Sequence, residues 1–388
     1  MTKMIAVACR KPGMMRGEYV GYLHQVHARI ALENPVSGHG GVVKWFVLAL
    51  TLVGGSSTML AAAAPVADAL SRPAVLTRQA SQSVLLGAAH AGTRLVAVGE
   101  RGIVVLSDDS GATWRQARVP VSVTLTAVRF VDAKQGFAVG HGGVVLASAD
   151  GGESWVKKLD GIQAAELALK AAKASGDPKA LREAERLVAD GADKPLLDLH
   201  FFDALRGIVV GAYNLIFVTE DGGETWQPWM ERLDNPKALH LYALRVSGNT
   251  LLIAGEQGLV LRSDDAGRSF RRLATPYKGS FFTAGLPSGD EIVVAGLRGN
   301  VWRSVDGGAN WTRVAAQVPV SFVASAQRAG RELLLANQAG MLFSVRDGLL
   351  VPLPGKPQPL LNAVLPLQDS GLLTLSLVGA IVLPAPAK

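Results

Sequence analysis

The sequence predicts an all-β protein, a seven-bladed β-propeller, on three observations. A short box recurs five times: SDDSGATW at 107–114, SADGGESW at 148–155, TEDGGETW at 219–226, SDDAGRSF at 263–270 and SVDGGANW at 304–311. The boxes start 41, 71, 44 and 41 residues apart, a period near 40 with about 30 residues inserted in the second step. Upstream of each box stand an alternating apolar run, a glycine-containing turn and a second run, as in LVAVGERGIVVLS at 95–107 and VVAGLRGNVWRS at 293–304. Period-2 alternation bounded by Gly and Asp reads as hairpin-joined strands, and four short strands per 40 residues is the spacing of a propeller blade.

The box is a tight turn between two strands. Its hydroxyls (Ser107, Ser148, Thr219, Ser263, Ser304) and carboxylates (Asp109, Asp150, Asp221, Asp265, Asp306) can accept from main-chain N–H groups of their own turn. Gly111, Gly152, Gly223, Gly267 and Gly308 stand where a positive φ suits glycine. The closing aromatics Trp114, Trp155, Trp226, Phe270 and Trp311 open the next strand and offer large apolar surfaces for packing between sheets. This pattern resembles the Asp-box, or BNR repeat, of sialidases and related propellers. The resemblance implies a fold-stabilising turn and no catalytic role for the box.

Two further units complete the count. GMLFS at 340–344 and GAIVL at 379–383 match the run into a box and follow at the same period. The last unit ends at Lys388 after three strands. AVLTRQ at 74–79 reads like RQARVP after the first box, so it is expected to enter the seventh blade as its fourth strand. That arrangement would close the ring and leave no exposed sheet edge.

Taken in order, residues 1–44 form a mildly basic, poorly organised lead. Residues 45–69, WFVLALTLVGGSSTMLAAAAPVADA, follow Lys44 and read as a Sec signal peptide; the alternative is an uncleaved membrane anchor. Either way the propeller, residues 73–388, is expected outside the cytoplasm, in the periplasm or a thylakoid-lumen equivalent, and membrane-associated if the segment stays. Cys9 is the only cysteine, so the propeller uses no disulfide and no thiol chemistry. The formal net charge is +7, partly carried by the lead, too little to infer nucleic-acid binding. The expected state is a monomer.

Residues 161–193 break the β pattern. Two Ala/Leu/Glu/Lys-rich segments flank Ser175-Gly176-Asp177-Pro178 and predict a helical hairpin between blades two and three. In a propeller that connection shares a face with the turns between second and third strands, and the boxes lie on the other face. The expected binding surface therefore collects the hairpin and the turn residues Arg101, His141, Tyr213, Glu256, Gln257 and Arg298. His90, His141, His200 and His240 show no metal-ligand spacing, and no glycine-rich segment opens a helix, so neither a metal, a cofactor nor a phosphate loop is expected.

The box spacing, the AVG-x-x-G lead-in and the export segment together resemble the photosystem II stability/assembly factor family over residues 73–388. The resemblance implies a non-enzymatic propeller that aids assembly by binding a newly made membrane subunit. The client would be a photosystem II reaction-centre subunit in a photosynthetic host, or an envelope membrane complex otherwise. It also implies an arginine-rich binding face, on which Arg101 and Arg298 are the matching turn arginines. The alternative is a sialidase-like glycoside hydrolase, which needs three arginines, a Tyr–Glu nucleophile pair and an Asp acid/base. Tyr213 with Glu256, flanked by Arg101 and Arg298, is the best set available, and no third arginine or acid joins it. The nearest Arg-Ile-Pro-like tripeptide, Arg118-Val119-Pro120, follows the first box instead of preceding it.

Overall fold

The computed structural model describes residues 68–385. The lead and all but the last two residues of the expected signal segment lie outside the described residues. The described chain forms seven antiparallel sheets in chain order, six of four strands and a seventh of three. Sheet one consists of Leu85–Ala91, Arg94–Gly99, Val104–Ser107 and Arg115–Gln116, paired in sequence order. The first strands of the other six are Leu125–Phe130, Leu196–Phe201, Leu241–Ser247, Phe281–Gly285, Phe322–Gln327 and Leu361–Pro366. This is a propeller-like, all-β architecture with two inserted helices.

The hydrophobic core lies between sheets. Val96, Val98, Val104 and Leu106 of sheet one pack with Leu125, Val128, Ala138 and Leu146 of sheet two. Phe137, Val139 and Val145 of sheet two in turn meet Leu199, Phe201, Val209 and Phe217 of sheet three. The middle strands are buried on both faces, which is why they read as near-continuous Val/Leu/Ile runs. Leu373 and Leu375 of sheet seven pack with Leu85, Leu95 and Val105 of sheet one.

Each box is built by its own residues. In the first, Ser107 Oγ donates to Asp109 Oδ1 at 2.8 Å and accepts from Gly111 N at 2.8 Å, with Gly111 at φ 93°. Thr113 donates through its main-chain N to Asp109 Oδ1 and through its hydroxyl to Oδ2. The other four boxes repeat these bonds around Asp150, Asp221, Asp265 and Asp306, with the Asn310 side-chain amide replacing the hydroxyl donor in the last. The closing aromatic always enters the interface with the preceding sheet: Trp155 with sheet one, Trp226 with two, Phe270 with three and Trp311 with four. Trp114 of sheet one packs with residues of sheet seven. A box thus couples a tight turn to the burial of one large ring, which stabilises a sheet–sheet joint by about 1.5–3 kcal/mol.

Every first strand carries a β-bulge one residue from its start. In sheet one Leu85 pairs Gly99 while Gly87 pairs Val98, leaving Leu86 extra; Tyr242 and Asn362 are the extra residues of sheets four and seven. The bulge re-aims that residue toward the next sheet. Thr126, the bulged residue of sheet two, donates to Leu196 O of sheet three at 2.7 Å.

The expected role of residues 74–79 is corrected. They form no strand, and the seventh sheet keeps three strands. The segment's hydrogen bonds go to the outer part of sheet one: Ala74 N donates to Val119 O, and Gln116 brackets the chain through Thr77 N and Val75 O. What meets the third strand of sheet seven is the following turn, Ala80–Gln82, whose Ser81 O lies 2.0 Å from where a Cβ would stand on Gly379. A segment whose polar groups are satisfied on sheet one is not available to pair with sheet seven.

The insertion forms helix α1, Gly161–Ser175, and helix α2, Pro178–Asp190. Asp160 caps α1, accepting from Ile162 and Gln163 main-chain N atoms while Gln163 Oε1 accepts from Asp160 N, a complete capping box. Gly176 ends α1 at φ 71°, and α2 opens on Asp177 with Pro178 in its first turn. Ala168, Ala172 and Ala184 are buried where the helices pack closely together. Ser175 Oγ donates to Glu231 Oε1 and Lys179 Nζ to Pro236 O, so the hairpin leans on the loop after sheet three's fourth strand.

Candidate binding surface

In each of sheets one to five the second and third strands are joined by a turn with positive φ at two successive residues. The pairs are Arg101/Gly102, Gly142/Gly143, Tyr213/Asn214, Gln257/Gly258 and Arg298/Gly299. Two left-handed residues match the right-handed strand twist, as in a type I′ hairpin. The second residue is glycine where a neighbouring loop crowds it: a Cβ on Gly258 would stand 2.0 Å from Tyr277 O. In sheet three that place is held by Asn214. Its buried amide donates to Met230 O and accepts from Asn235 Nδ2, fixing the loop that supports the hairpin.

The first residue of each pair carries the expected binding groups. Arg101, Gln257 and Arg298 are exposed in the left-handed conformation, and Tyr213 is half-buried in it. A non-glycine residue there costs about 1–2 kcal/mol, and sheet two shows that glycine fits the same place. These turns, the joint between α1 and the second sheet, and the starts of all first strands lie at one end of the sheets. The boxes join third to fourth strands and therefore lie at the other end.

The structure brings some of the expected residues together and leaves others apart. Tyr213 N donates to His240 Nδ1 at 2.8 Å, which assigns the proton of the neutral ring to Nε2, and the two rings meet edge to face at 4.6 Å. Glu256 Oε2 accepts from His240 N at 3.3 Å and lies 3.9 Å from Nε2. Lys194, the residue that leads from the hairpin to sheet three, places Nζ over the Tyr213 ring at 5.2 Å. Tyr242 extends this group to Phe282 at 5.4 Å. Burial holds the His240 imidazole below its ordinary pKa, with Glu256 opposing the shift.

Glu256 has a positioning task that its sequence context did not reveal. Glu100 accepts from Val84 N just before the first strand of sheet one, as Glu256 does from His240 N before that of sheet four. Arg298 belongs to sheet five, where its main-chain N donates to Ser321 Oγ and its charge acts on Tyr277, whose phenol is raised by burial. Arg101 stands apart in sheet one. His141, half-buried, is held below its ordinary pKa by burial. The joining residue, His240, was legible only as a histidine near a first strand. Its position one residue before Leu241, opposite the turn of the preceding sheet, was the available signal.

Among the described residues no group of three or more His, Cys, Asp or Glu side chains could hold a metal ion, and no helix is long and apolar enough to cross a membrane.

The family model described as photosynthesis system II assembly factor YCF48 matches residues 106–181 and 178–328, together more than half of the chain. The chain belongs to this YCF48 family. The match runs over all five boxes, and it includes the helical hairpin. Photosystem II assembly lipoprotein Ycf48 of Synechococcus sp. (strain CC9902) is 34% identical over 77 residues, which span 20% of this chain and 23% of that protein. A solved structure of YCF48 bound to a D1 peptide superposes with a TM-score of 0.59 at 16% identity, covering 81% of this chain and 96% of that one. YCF48 from Cyanidioschyzon merolae gives a TM-score of 0.58 at 16% identity, covering 79% and 97%. These structural likenesses carry the YCF48 propeller fold across to this chain.

Proposed function

We propose that this member of the YCF48 family is an exported, non-enzymatic scaffold that binds a membrane-protein client during assembly. The client is a photosystem II reaction-centre subunit in a photosynthetic host, and a subunit of an envelope membrane complex otherwise. The lead is residues 1–44, the export signal 45–69 and the propeller 73–388, with the 161–193 hairpin on its binding face. The protein works as a monomer in the periplasm or lumen. Its seven sheets are the seven blades of a closed ring, a reading supported by Asn362, whose Nδ2 donates to Leu85 O across the joint between sheets seven and one.

The observation that carries the binding reading is the retention of Arg101, Tyr213, Gln257 and Arg298 in left-handed turn positions on one face. Strained backbone that displays side chains from a rigid scaffold favours recognition. The family's assembly role and the D1 peptide found with a structurally similar YCF48 support a peptide segment of a membrane subunit as the bound element.

Affinity capture of the tagged protein from detergent-solubilised host membranes, read by mass spectrometry, tests it. One integral membrane protein should be retained, and lost with the Arg101→Glu/Arg298→Glu double variant. Hydrolysis of a sialoside by the purified protein, with no client in either sample, would overturn the scaffold in favour of a glycosidase built on Tyr213 and Glu256.

A further inference from the structure

Four residues after its first residue, each first strand offers an equivalent position. In sheets two, three and four it holds Arg129, His200 and Arg245; in the other four sheets it is apolar or glycine. The level lies toward the box end, away from the turns of the proposed client face. One carboxylate serves the group. Asp198, buried, accepts from Arg245 Nη1 at 2.7 Å and from the main-chain N atoms of Leu199 and Leu244. Arg129 Nη2 stands 3.6 Å from the other oxygen of Asp198, and its one hydrogen bond among the described residues is Nη1 to Val128 O.

The two arginines differ in what they have left to give. Arg245 is spent on the fold: Nε donates to Ala284 O, Nη1 to Leu244 O, and Nη2 approaches the hydroxyls of Thr283 and Ser325. Arg129 keeps 39% of its side chain accessible, with most of its five donors uncommitted. Two guanidinium charges against one carboxylate leave a net positive charge at this level. Burial is the largest cause holding Arg129 below its usual pKa, with Asp198 opposing it and Arg245 adding to it. A cation with free donors beside a second guanidinium gains from a counter-ion that neither the shared carboxylate nor the main chain supplies.

We propose that this level binds a small oxyanion of carboxylate or sulfate size, held by Arg129 in a two-pronged contact, with His200 as a third donor. A planar fork of N–H groups matches such an anion. His200 is neutral at pH 7: burial, then Arg129 and Arg245, lower it to about 4, and Asp198 opposes them. An anion beside Arg129 cancels charge that His200 feels, so binding raises the pH at which the ring protonates, and protonation strengthens binding. The site does not depend on the client face or its arginines.

The test uses the full chain in detergent and follows His200 ring resonances by NMR against pH, assigned by loss in His200→Gln. Sulfate and acetate are compared with chloride at equal ionic strength. The expected result is a rise of the His200 midpoint by about one unit, a tenfold change in the protonation equilibrium, with either oxyanion and not with chloride. Arg129→Gln should abolish the anion-dependent part and Arg129→Lys restore some of it. Equal midpoints in oxyanion and chloride, or an anion effect that survives Arg129→Gln, would overturn the proposal. If Arg129→Gln does not fold, Arg129→Lys substitutes: the oxyanion-dependent rise of the His200 midpoint should shrink, because a single ammonium cannot make the two-pronged contact, and an undiminished rise overturns the site.

Discussion

Asn362 donates its side-chain amide to Leu85 O at 2.9 Å, joining the last first strand to the first. Thr126 makes the same kind of bond to Leu196 O from the same bulge position in sheet two. Leu85 and Leu196 are also equivalent, each opening its first strand. The joint across the chain ends therefore repeats a joint within the chain, although the residues that build it differ.

The first prediction concerns that bond. Asn362 is 3% exposed, so Asn362→Leu leaves a buried carbonyl short of a donor and should cost about 1–3 kcal/mol in urea unfolding. Thr126→Val should cost a similar amount at its own joint, and the two losses should add, since they share no partner. A wild-type midpoint for Asn362→Leu would show that this joint does not bear on stability.

How far the fold could be read from the residues follows from how local each feature is. A box keeps its hydroxyl, carboxylate and glycine within five residues, so Ser107, Asp109 and Gly111 announce a turn before any partner strand is known. The left-handed turns were partly visible as Gly-x-x-Gly runs, but no local pattern marked Arg101 or Arg298 as residues of positive φ. Residues 74–79 mimic a fourth strand in composition alone; their pairing was decided by Gln116 and Val119, some 40 residues away. The meeting of Arg129, Asp198 and Arg245 was hidden for the same reason, since three strands from different sheets supply it. Aligning the strand starts at Leu125, Leu196 and Leu241 would have put Arg, His and Arg at one level.

A second prediction follows from the boxes. Asp109, Asp265 and Asp306 are held at about 2, chiefly by the hydroxyls of Thr113 and Ser269 and the main-chain N of Asn310. Because the folded pKa lies below the unfolded one, their contribution is complete above about pH 4 and is lost as pH falls toward 2. Unfolding free energy should therefore drop between pH 4 and 2, and less steeply in Asp265→Asn. An unchanged slope in that variant would remove the box carboxylates from the acid response.

His200 makes the third prediction, in a different pH window. Its folded pKa of about 4 lies below the ordinary 6.5, so the folded state resists protonation and stability falls as pH drops from about 6.5 to 4. The full loss would be about 3 kcal/mol. His200→Gln, which cannot titrate, should flatten that limb while leaving the box-dependent limb below pH 4. If wild type and variant share one profile between pH 7 and 4, the histidine is not the titrating group.

The last prediction separates display from stability on the client face. Arg101 and Arg298 hold φ values of 52° and 55°, a conformation glycine adopts without the clash of a Cβ. Replacing either by glycine relieves about 1 kcal/mol of strain and costs a similar amount through the freer unfolded chain. The unfolding midpoints of Arg101→Gly and Arg298→Gly should therefore stay within about 1 kcal/mol of wild type. Client capture should fall in both, because the turn keeps its path and loses only the guanidinium. Retained capture in both variants would mean that neither arginine contributes to recognition, and would move the binding determinant toward Tyr213, Lys194 and the hairpin. A large loss of stability would instead show that these side chains support the turn they stand on.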